Sequence, residues 1–270
     1  MPALPGSLRR MHAMHPPRVL AAAVLSLMIA TQTAAEPLQL YTEEYPPVSF
    51  SENGEVDGMA TEVVRELLRR LGEPASIQSL PWARSLQIVL RTPNTALYTT
   101  IRNPQRERQF KWVGPLVVSE DNFYALRGSG LQVSHPEQLH ALGPIAVPRA
   151  WSTYQELRET GLPNLLPVNE PEQVFRMLKH GRVKVIVADN LSFLSHGSQA
   201  QQVDFLASED VEAIYNHRTS YGYIAFWRDT PDARVQRWQV ELDTMKRDGS
   251  FAQIHQRWLG DTPPAPLREP

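Results

Sequence analysis

The feature that most constrains the fold is an alternation of strand-like and helix-like segments along the chain. From residue 38 the order is strand, helix, strand, helix and strand, and the alternation resumes between residues 143 and 189. The helix that starts after Gly58 carries apolar residues at three- and four-residue spacing and ends at Gly72. Alternating β and α segments predict an α/β protein with mostly parallel sheets flanked by helices.

The same patterns place the individual elements. Two more strands, at 122–128 and 221–227, flank the second set, and two helices near the C-terminus are separated by Asp248 and Gly249. If these two strands lie side by side, the chain crosses twice between two lobes, which leaves a cleft between them. We predict the other strands at 38–42, 75–80, 95–100, 143–148, 164–168 and 183–189 and the other helices at 59–71, 82–91, 152–160 and 171–181.

Composition limits the classes of function. The chain has 270 residues, of which 42% are hydrophobic and 21% charged, as in folded globular proteins. Its formal net charge is −2, which argues against general binding to nucleic acid. It has no cysteine, so disulfides, thiol catalysis and cysteine metal sites are excluded, and no motif indicates a metal or a cofactor.

The N-terminus has the order of a secretory signal peptide. Arg9, Arg10 and Arg18 precede an uncharged run at 19–30, and Thr33 and Ala35 stand at the small positions before a cleavage site. The run is shorter than the ~20 residues that span a bilayer, although an uncleaved anchor is the alternative. We therefore expect a mature periplasmic protein that starts near Glu36.

Polar and aromatic residues follow several of the predicted strands. The stretches EEYPPVSF, LPWAR, TTIRNPQR and ADN all lie at or just after strand ends. In open α/β sheets a ligand sits beyond the carboxyl ends of the strands, so these loops are expected to converge on one cleft. The sequence therefore predicts a binding site for a small molecule.

The chain from about residue 41 to 260 resembles the periplasmic solute-binding proteins of family 3, the amino-acid-binding type that serves ABC importers. The resemblance rests on six stretches in the family's order, YTEEYPPVSF, GEVDGMATEVVRELLRRLG, TTIRNPQRER, VGPL, LKHGRVKVIVAD and MKRDGSFAQIHQRWLG. It implies the type II periplasmic-binding-protein fold, with two lobes, two mostly parallel sheets and a two-strand hinge. The implied divisions are a signal peptide at 1–35, lobe 1 at 36–125, lobe 2 at 126–220, a return to lobe 1 at 221–260 and a flexible tail at 261–270.

The resemblance assigns Arg106 to the α-carboxylate of a bound amino acid. A guanidinium offers two parallel donors to a planar carboxylate, which agrees with that role. Arg108 and Lys111 have no such role and are expected to be solvated, Arg102 is left open, and an ordinary surface arginine is the alternative for Arg106. Asp189 corresponds to the acidic residue that accepts the ligand ammonium, with a helix N-cap as its alternative.

Other ligand-binding residues are implied in the same way. Tyr45 and Trp82 match aromatic or apolar positions against the ligand, although core packing is the alternative for both. Thr99 and Thr100 are the hydroxyl residues that precede the arginine loop, and Ser152 is a hydroxyl at a helix start. Arg84 is a weaker candidate.

Two departures bear on the ligand. Ile101 stands where amino-acid binders usually carry a second hydroxyl for the ammonium, and Trp151 follows Ala150 where Gly-Thr or Gly-Ser is usual. Losing a hydroxyl removes roughly 1 kcal/mol of polar contact in a dry site. The carboxylate end of the resemblance therefore survives better than the ammonium end, and an α-amino acid is the first candidate within carboxylate-bearing molecules.

Three functions are open at this point. The first is a binding protein that is monomeric and partners with an ABC transporter permease. The second is a ligand sensor for a membrane receptor, and the third is an enzyme like the periplasmic cyclohexadienyl dehydratases. Glu43, Glu44, Glu170 and Asp189 lie near strand ends, but no spacing singles out a catalytic pair, so we expect no enzyme and no catalytic residue.

Overall fold

The computed structural model describes residues 1–2, 36–194 and 206–269. Every element below belongs to the unit Pro37–Pro270. The predicted signal peptide lies outside the described residues except for its first two, so it stays a prediction. Among the described residues there is no helix that is both long and apolar enough to cross a membrane.

The described residues form ten strands and six α-helices, joined by two short 3-10 helices at Pro136–Ala141 and Asn190–Phe193. The strands are β1 (Leu38–Thr42), β2 (Phe50–Glu52), β3 (Glu55–Asp57), β4 (Ala75–Ser79), β5 (Thr95–Ile101), β6 (Phe110–Leu126), β7 (Ile145–Pro148), β8 (Leu165–Val168), β9 (Val185–Asp189) and β10 (Val211–Trp227). The α-helices are α1 (Met59–Leu71), α2 (Trp82–Arg91), α3 (Ser152–Glu159), α4 (Glu172–Lys179), α5 (Asp232–Arg247) and α6 (Ser250–Leu259).

Eight of these strands form one mixed sheet in the order β4-β1-β5-β10-β6-β9-β7-β8, and β2 and β3 form a separate hairpin. Strands β4, β1 and β5 pair in parallel, as do β8, β7 and β9. Below, the first half means the part of the protein with β4, β1 and β5, and the second half the part with β9, β7 and β8. The predicted α/β class with parallel strands flanked by helices is confirmed.

The two halves are joined by β6 and β10, which are both 17 residues long and pair antiparallel along most of their length. The sequence placed these two strands only at 122–128 and 221–227 and left open whether they lie side by side. Because each strand runs through both halves, the two expected sheets are joined into one continuous sheet. The pairing shifts register at three places, including between Asn216 and Arg218, where the strands pass the middle of the molecule.

Helix α1 shows how the sequence sets the core of the first half. Gly58 precedes it at φ 113°, and a Cβ there would meet the Val48 carbonyl oxygen at 2.6 Å, so glycine is required. Gly72 ends the helix in the left-handed conformation. The face between them buries Met59, Val63 and Leu67 completely against the sheet. Burying a side chain of that size stabilises the fold by about 1.5–3 kcal/mol.

The end of the chain differs from the expected flexible tail. Ala265 is buried in the core of the first half, Arg268 forms an ion pair with Asp243, and Tyr223 donates a hydrogen bond to Glu269. The prolines of this segment stop a helix, which suggested a frayed end, but they also stiffen an extended chain. The described part of the tail is packed against α5 and the crossing strands.

Candidate functional site

A cavity of about 60 Å³ lies between the two halves, where the loops after the strands meet. Loops and strand ends of the first half supply six of the residues around it, which are Glu43, Tyr45, Trp82, Thr99, Ile101 and Arg106. Strand β6 supplies Ser119 and Asp121. The second half supplies Trp151, Ser152, Thr153 and Asp189. The predicted convergence of strand-end loops is therefore present in the structure.

Arg106 enters this cavity from the loop between β5 and β6. Its guanidinium lies 5.1 Å from the centre of the Trp82 ring, and its Nη1 donates to the Ile101 carbonyl oxygen at 3.2 Å. Burial lowers the pKa of Arg106, and the nearby Glu43 opposes that shift. No described carboxylate forms a salt bridge with Arg106, so its remaining donors are free to bind an anion in the cavity.

Asp189 lines the cavity and links the two halves through a hydrogen bond. The Tyr45 hydroxyl donates to Asp189 Oδ1 at 2.6 Å, from the loop after β1 to the end of β9. Asp189 is also the N-cap of the 3-10 helix at Asn190–Phe193, because it accepts hydrogen bonds from the backbone N–H groups of Leu191 and Ser192. Burial raises the pKa of Asp189 to about 6, although the hydrogen bond from Tyr45 acts in the opposite direction. The binding role and the capping role predicted as alternatives are thus compatible in one side chain.

Glu43 differs from the other two carboxylates of the cavity. Its carboxylate accepts no hydrogen bond from any residue that the structure describes, whereas Asp121 and Asp189 accept several each. Burial raises the pKa of Glu43 to about 8, and the positive charge of Arg106 only partly offsets this. A carboxyl group with this pKa is mostly protonated at neutral pH.

Asp121 is the centre of a buried polar network on the crossing strands. Its Oδ2 accepts hydrogen bonds from Thr153 Oγ1 at 2.9 Å, Arg218 Nε at 2.9 Å and Ser220 Oγ at 2.7 Å. Arg218 also pairs with Glu156 of α3. The network ties β6 and β10 to the start of α3, so it fixes the second half against the crossing strands.

The start of α3 forms part of the cavity wall that the second half contributes. Ser152 is its first residue, and the Ser152 hydroxyl accepts a hydrogen bond from Arg218 Nη2 at 2.9 Å. The residue before it, Trp151, provides no side-chain cap for the helix. The first backbone N–H groups of α3 therefore have no side-chain acceptor from the N-cap, which suits an acceptor in the cavity.

Thr99 and Thr100 do not share one environment. Thr99 lines the cavity with φ 64°, in the left-handed region that β-branched residues rarely adopt. Thr100 is fully buried, its hydroxyl donates to the Leu97 carbonyl oxygen, and it does not line the cavity. The prediction that both hydroxyls face the ligand is therefore corrected for Thr100, because neighbouring residues of a strand point to opposite sides.

The rest of the basic loop lies away from the cavity. Arg102 forms a two-pronged ion pair with Glu107 and lies over the Trp112 and Tyr223 rings. Arg108 is exposed. Lys111 is not simply solvated as expected, because its amine donates to the Thr230 carbonyl oxygen and pairs with Asp232. Arg84, the weaker candidate, is exposed and lines no part of this cavity.

The sequence argument missed Asp121 and Arg218. The signal for them was present, because Ser119, Glu120 and Asp121 interrupt an apolar run that otherwise reads as a buried strand. A polar residue inside such a strand needs a partner. The partner, Arg218, lies 97 residues away along the chain, so no local pattern connects them.

Residues 39–261 match the family model of the bacterial extracellular solute-binding proteins, family 3. The chain belongs to that family. A similar curated protein is the "Probable amino-acid ABC transporter-binding protein" of Haemophilus influenzae, which is 20% identical over 218 residues, covering 80% of this chain and 81% of that protein. The resemblance stated from the sequence is therefore confirmed at the level of the family.

Solved structures confirm the type II fold of this solute-binding protein. A mutant of ArgBP from T. maritima has a TM-score of 0.69 at 17% identity, covering 83% of this chain and 95% of that one. A histidine kinase sensor domain with similarity to periplasmic binding proteins has a TM-score of 0.71 at 18% identity, with coverages of 83% and 96%. An ABC uptake transporter substrate-binding protein from Streptococcus pneumoniae, with bound histidine, has a TM-score of 0.69 at 13% identity, with coverages of 83% and 93%. At these identities the likeness shows the fold alone.

Proposed function

We propose that this family member captures a small carboxylate-bearing ligand, an amino acid or a related compound, in the cavity between its two halves and delivers it to an ABC importer. The observation that carries the proposal is the state of Arg106. Its guanidinium is largely enclosed, stacked on Trp82 and bonded to one backbone carbonyl, with no described carboxylate paired to it. An enclosed cation with spare donors is stabilised by an anion in the cavity.

The other predicted residues support a complete site. Trp82 gives the ligand an apolar wall, and the Thr99 hydroxyl, which donates to the Tyr98 carbonyl oxygen, can accept a hydrogen bond from the ligand. Ser152 and the start of α3 offer hydroxyl and backbone donors from the opposite half. We assign the second charged contact to Asp189, which the Tyr45 hydroxyl already orients.

We infer that the two halves rotate about β6 and β10 when the ligand binds. The lobe boundary implied at residue 125 falls within β6, whose residues 121–124 pair with β9 of the second half. The ligand docks first on Arg106 and Trp82 of the first half, and the second half then covers it. Two paired strands between compact halves are a common hinge arrangement. Closure excludes water from the cavity, which strengthens the contact between the carboxylate and the guanidinium.

Ligand identity comes from native mass spectrometry of the protein purified from periplasm, and the site is then tested by calorimetry with that compound. Arg106→Ala should weaken binding by about 2–5 kcal/mol, since the carboxylate is left desolvated and unpaired. Arg106→Lys should restore only part of the loss, because one ammonium cannot reproduce two parallel donors.

Arg108→Ala is the matched control, because this exposed arginine belongs to the same loop. It should change binding by well under about 1 kcal/mol. Equal losses in the two variants would mean that the loop acts through its general charge, and the assignment of Arg106 would be wrong.

Export is part of the proposal and rests on the order of charged, apolar and small residues before Glu36. The mature protein in the periplasm should begin within one or two residues of Glu36. Mass mapping of the exported protein that finds residues 18–30 retained would contradict cleavage.

A second candidate function is enzymatic, and one observation favours it. Glu43 and Asp189 line the same cavity, and burial raises the pKa of Glu43 to about 8 and that of Asp189 to about 6. Two carboxyl groups titrating near neutral pH are suited to general acid and base roles. Turnover of a cyclohexadienyl acid by the purified protein would favour this function over binding alone. A sensor role is tested separately, by capture of a membrane receptor instead of a permease.

A further inference from the structure

A larger cleft continues from the cavity toward the surface. It has a volume of about 630 Å³ and lies between the loop before α2 and the loops that precede α3 and α4. Three residues, Glu43, Trp82 and Trp151, line both spaces. We call the larger space the outer cleft and the smaller one the inner cavity.

The inner cavity is too small for a ligand with a long side chain. Its 60 Å³ corresponds to roughly four to six water molecules, which is about the size of a carboxylate with the atoms next to it. A longer ligand bound at Arg106 therefore extends past the residues that the two spaces share. Glu43 is one of these residues, because it lines both spaces.

Glu43 is also the cavity carboxylate that lacks a hydrogen-bond donor among the described residues, although the charge of Arg106 acts on it. Asp121 and Asp189 are already bonded to donors of the protein, but no described residue donates a hydrogen bond to the Glu43 carboxylate. A partly buried carboxylate that lacks donors is costly, and a cation beside it removes that cost.

The outer cleft also favours a cationic group over an anionic one. It is lined by Glu43, Glu44, Glu170 and Glu172, with Arg149 as its one cationic lining residue. Glu44 is engaged by Ser51 and Ser79, whereas Glu170 and Glu172 are exposed. The excess of carboxylates steers a cationic group outward from the inner cavity rather than an anionic one.

We propose that the ligand carries a guanidinium or ammonium group on a chain that extends from its carboxylate, and that Glu43 is the residue that selects this group. The proposal rests on the proposed function, because Arg106 must hold the carboxylate for the chain to pass Glu43. In this arrangement the carboxylate lies in the inner cavity, the chain passes the residues that the two spaces share, and the cation pairs with Glu43 at the start of the outer cleft.

The test compares L-arginine with L-citrulline by calorimetry at pH 7.5. The two probes have nearly the same shape and the same α-ammonium and carboxylate groups, but only arginine has a charged end. Arginine should bind about tenfold or more tightly than citrulline, since a charged hydrogen bond is stronger than a neutral one. Equal binding, tighter binding of citrulline or no binding of arginine would overturn the proposal.

Glu43→Gln identifies the residue responsible. It should weaken arginine about tenfold or more and change citrulline less than about threefold, because only the charge is removed. Glu55→Gln, which removes an exposed charge outside both spaces, should change both probes less than about threefold. Equal losses of both probes in Glu43→Gln would mean that Glu43 takes the α-ammonium group, which would also overturn the proposal. Thermal unfolding checks that each variant is folded.

The same experiment separates this proposal from the proposed function. If Arg106→Ala abolishes binding of a neutral amino acid while arginine does not bind the unmodified protein, the carboxylate site stands and only the cation selection by Glu43 fails. If Arg106→Ala leaves the binding of every amino acid unchanged, the carboxylate site itself fails.

Discussion

Asp121 and Glu43 line the same cavity, but they differ in the hydrogen bonds that their carboxylates accept from the protein. Asp121 accepts hydrogen bonds from Thr153, Arg218 and Ser220 and needs nothing further. Glu43 accepts none from the residues that the structure describes, and burial raises its pKa to about 8. The two side chains enter the same space, but only Glu43 has its hydrogen-bonding capacity free.

The difference separates what holds the cavity together from what faces the ligand. A buried polar network that is fully bonded gives rigidity and a fixed geometry, and its members have little left to offer a ligand. A partly buried group without donors stores an unfavourable energy that a ligand of the right charge can relieve. The Asp121 network therefore fixes the geometry of the cavity. Glu43 and Arg106 are the groups whose interactions a bound ligand changes most.

The largest effect on stability is expected from Arg218→Met. The substitution keeps the length and apolar stem of the side chain but leaves Asp121 and Glu156 without their cation. Removing one partner from a buried charged network costs about 3–5 kcal/mol, and urea unfolding measures it as a loss of unfolding free energy.

Arg102→Met is the control for that loss. Arg102 also pairs with a carboxylate through two bonds, but both partners are well exposed, at 37% and 47% of their side-chain surface. Its loss should cost less than about 1 kcal/mol. Similar losses in the two variants would show that the Asp121 network is no more important to the fold than a surface pair.

A smaller effect with a pH signature is expected from Glu43→Gln. The pKa of Glu43 is about 8 in the folded protein and 4.5 in its ordinary state, so the folded protein binds an extra proton between these values. The stability that Glu43 contributes is complete below pH 4.5 and is lost as pH rises through 8. Glutamine resembles the protonated form at every pH, so it avoids this loss.

Unfolding free energies at two pH values measure the effect. At pH 5 the two proteins should be about equally stable, and at pH 8.5 the variant should be more stable by about 1–3 kcal/mol, since partial exposure reduces the full linkage energy. Asp189 titrates in both proteins, and the charges of Glu43 and Asp189 act on each other, so the difference reports the coupled pair. Glu55→Gln, an exposed position on β3, is the control and should show no such difference between the two pH values. A Glu43 variant that is less stable at pH 8.5 would contradict the account.

Much of the fold follows from the sequence because it rests on local patterns. Helices α1 and α2 were predicted with the bounds observed, since apolar spacing and glycine or proline signals are local. The full length of β6 and β10 was not predicted, because polar residues interrupt both strands and their partners lie far away along the chain. The packed tail was missed for a similar reason, since Asp243 and Arg268 meet only in the folded protein.

The site residues also divide into those that the sequence predicts and those that only the structure reveals. Residues at strand ends, such as Tyr45, Arg106 and Asp189, follow from where a strand stops and from the family resemblance. Thr100 was predicted wrongly as a cavity residue, because the alternation of a strand decides which of two adjacent threonines faces inward. Whether a given carboxylate is already bonded, as Asp121 is and Glu43 is not, depends on distant parts of the chain and is seen only in the structure.

The smallest effect is expected from Tyr45→Phe, which tests whether one hydrogen bond between the halves favours the closed form. The hydroxyl of Tyr45 donates to Asp189 across the cavity, but Asp189 keeps its bonds from Leu191 and Ser192 when that hydroxyl is removed. The loss should therefore be only about 1 kcal/mol, and it should fall on closure rather than on the fold of either half. Small-angle scattering of the ligand-free protein should show a larger radius of gyration in the variant, and saturating ligand should contract it again. Tyr98→Phe is the matched control, because the Tyr98 hydroxyl is bonded to Thr61 within the first half. That control should lower the unfolding free energy without changing the radius, whereas an unchanged radius in Tyr45→Phe with and without ligand would show that the hydrogen bond does not hold the two halves together.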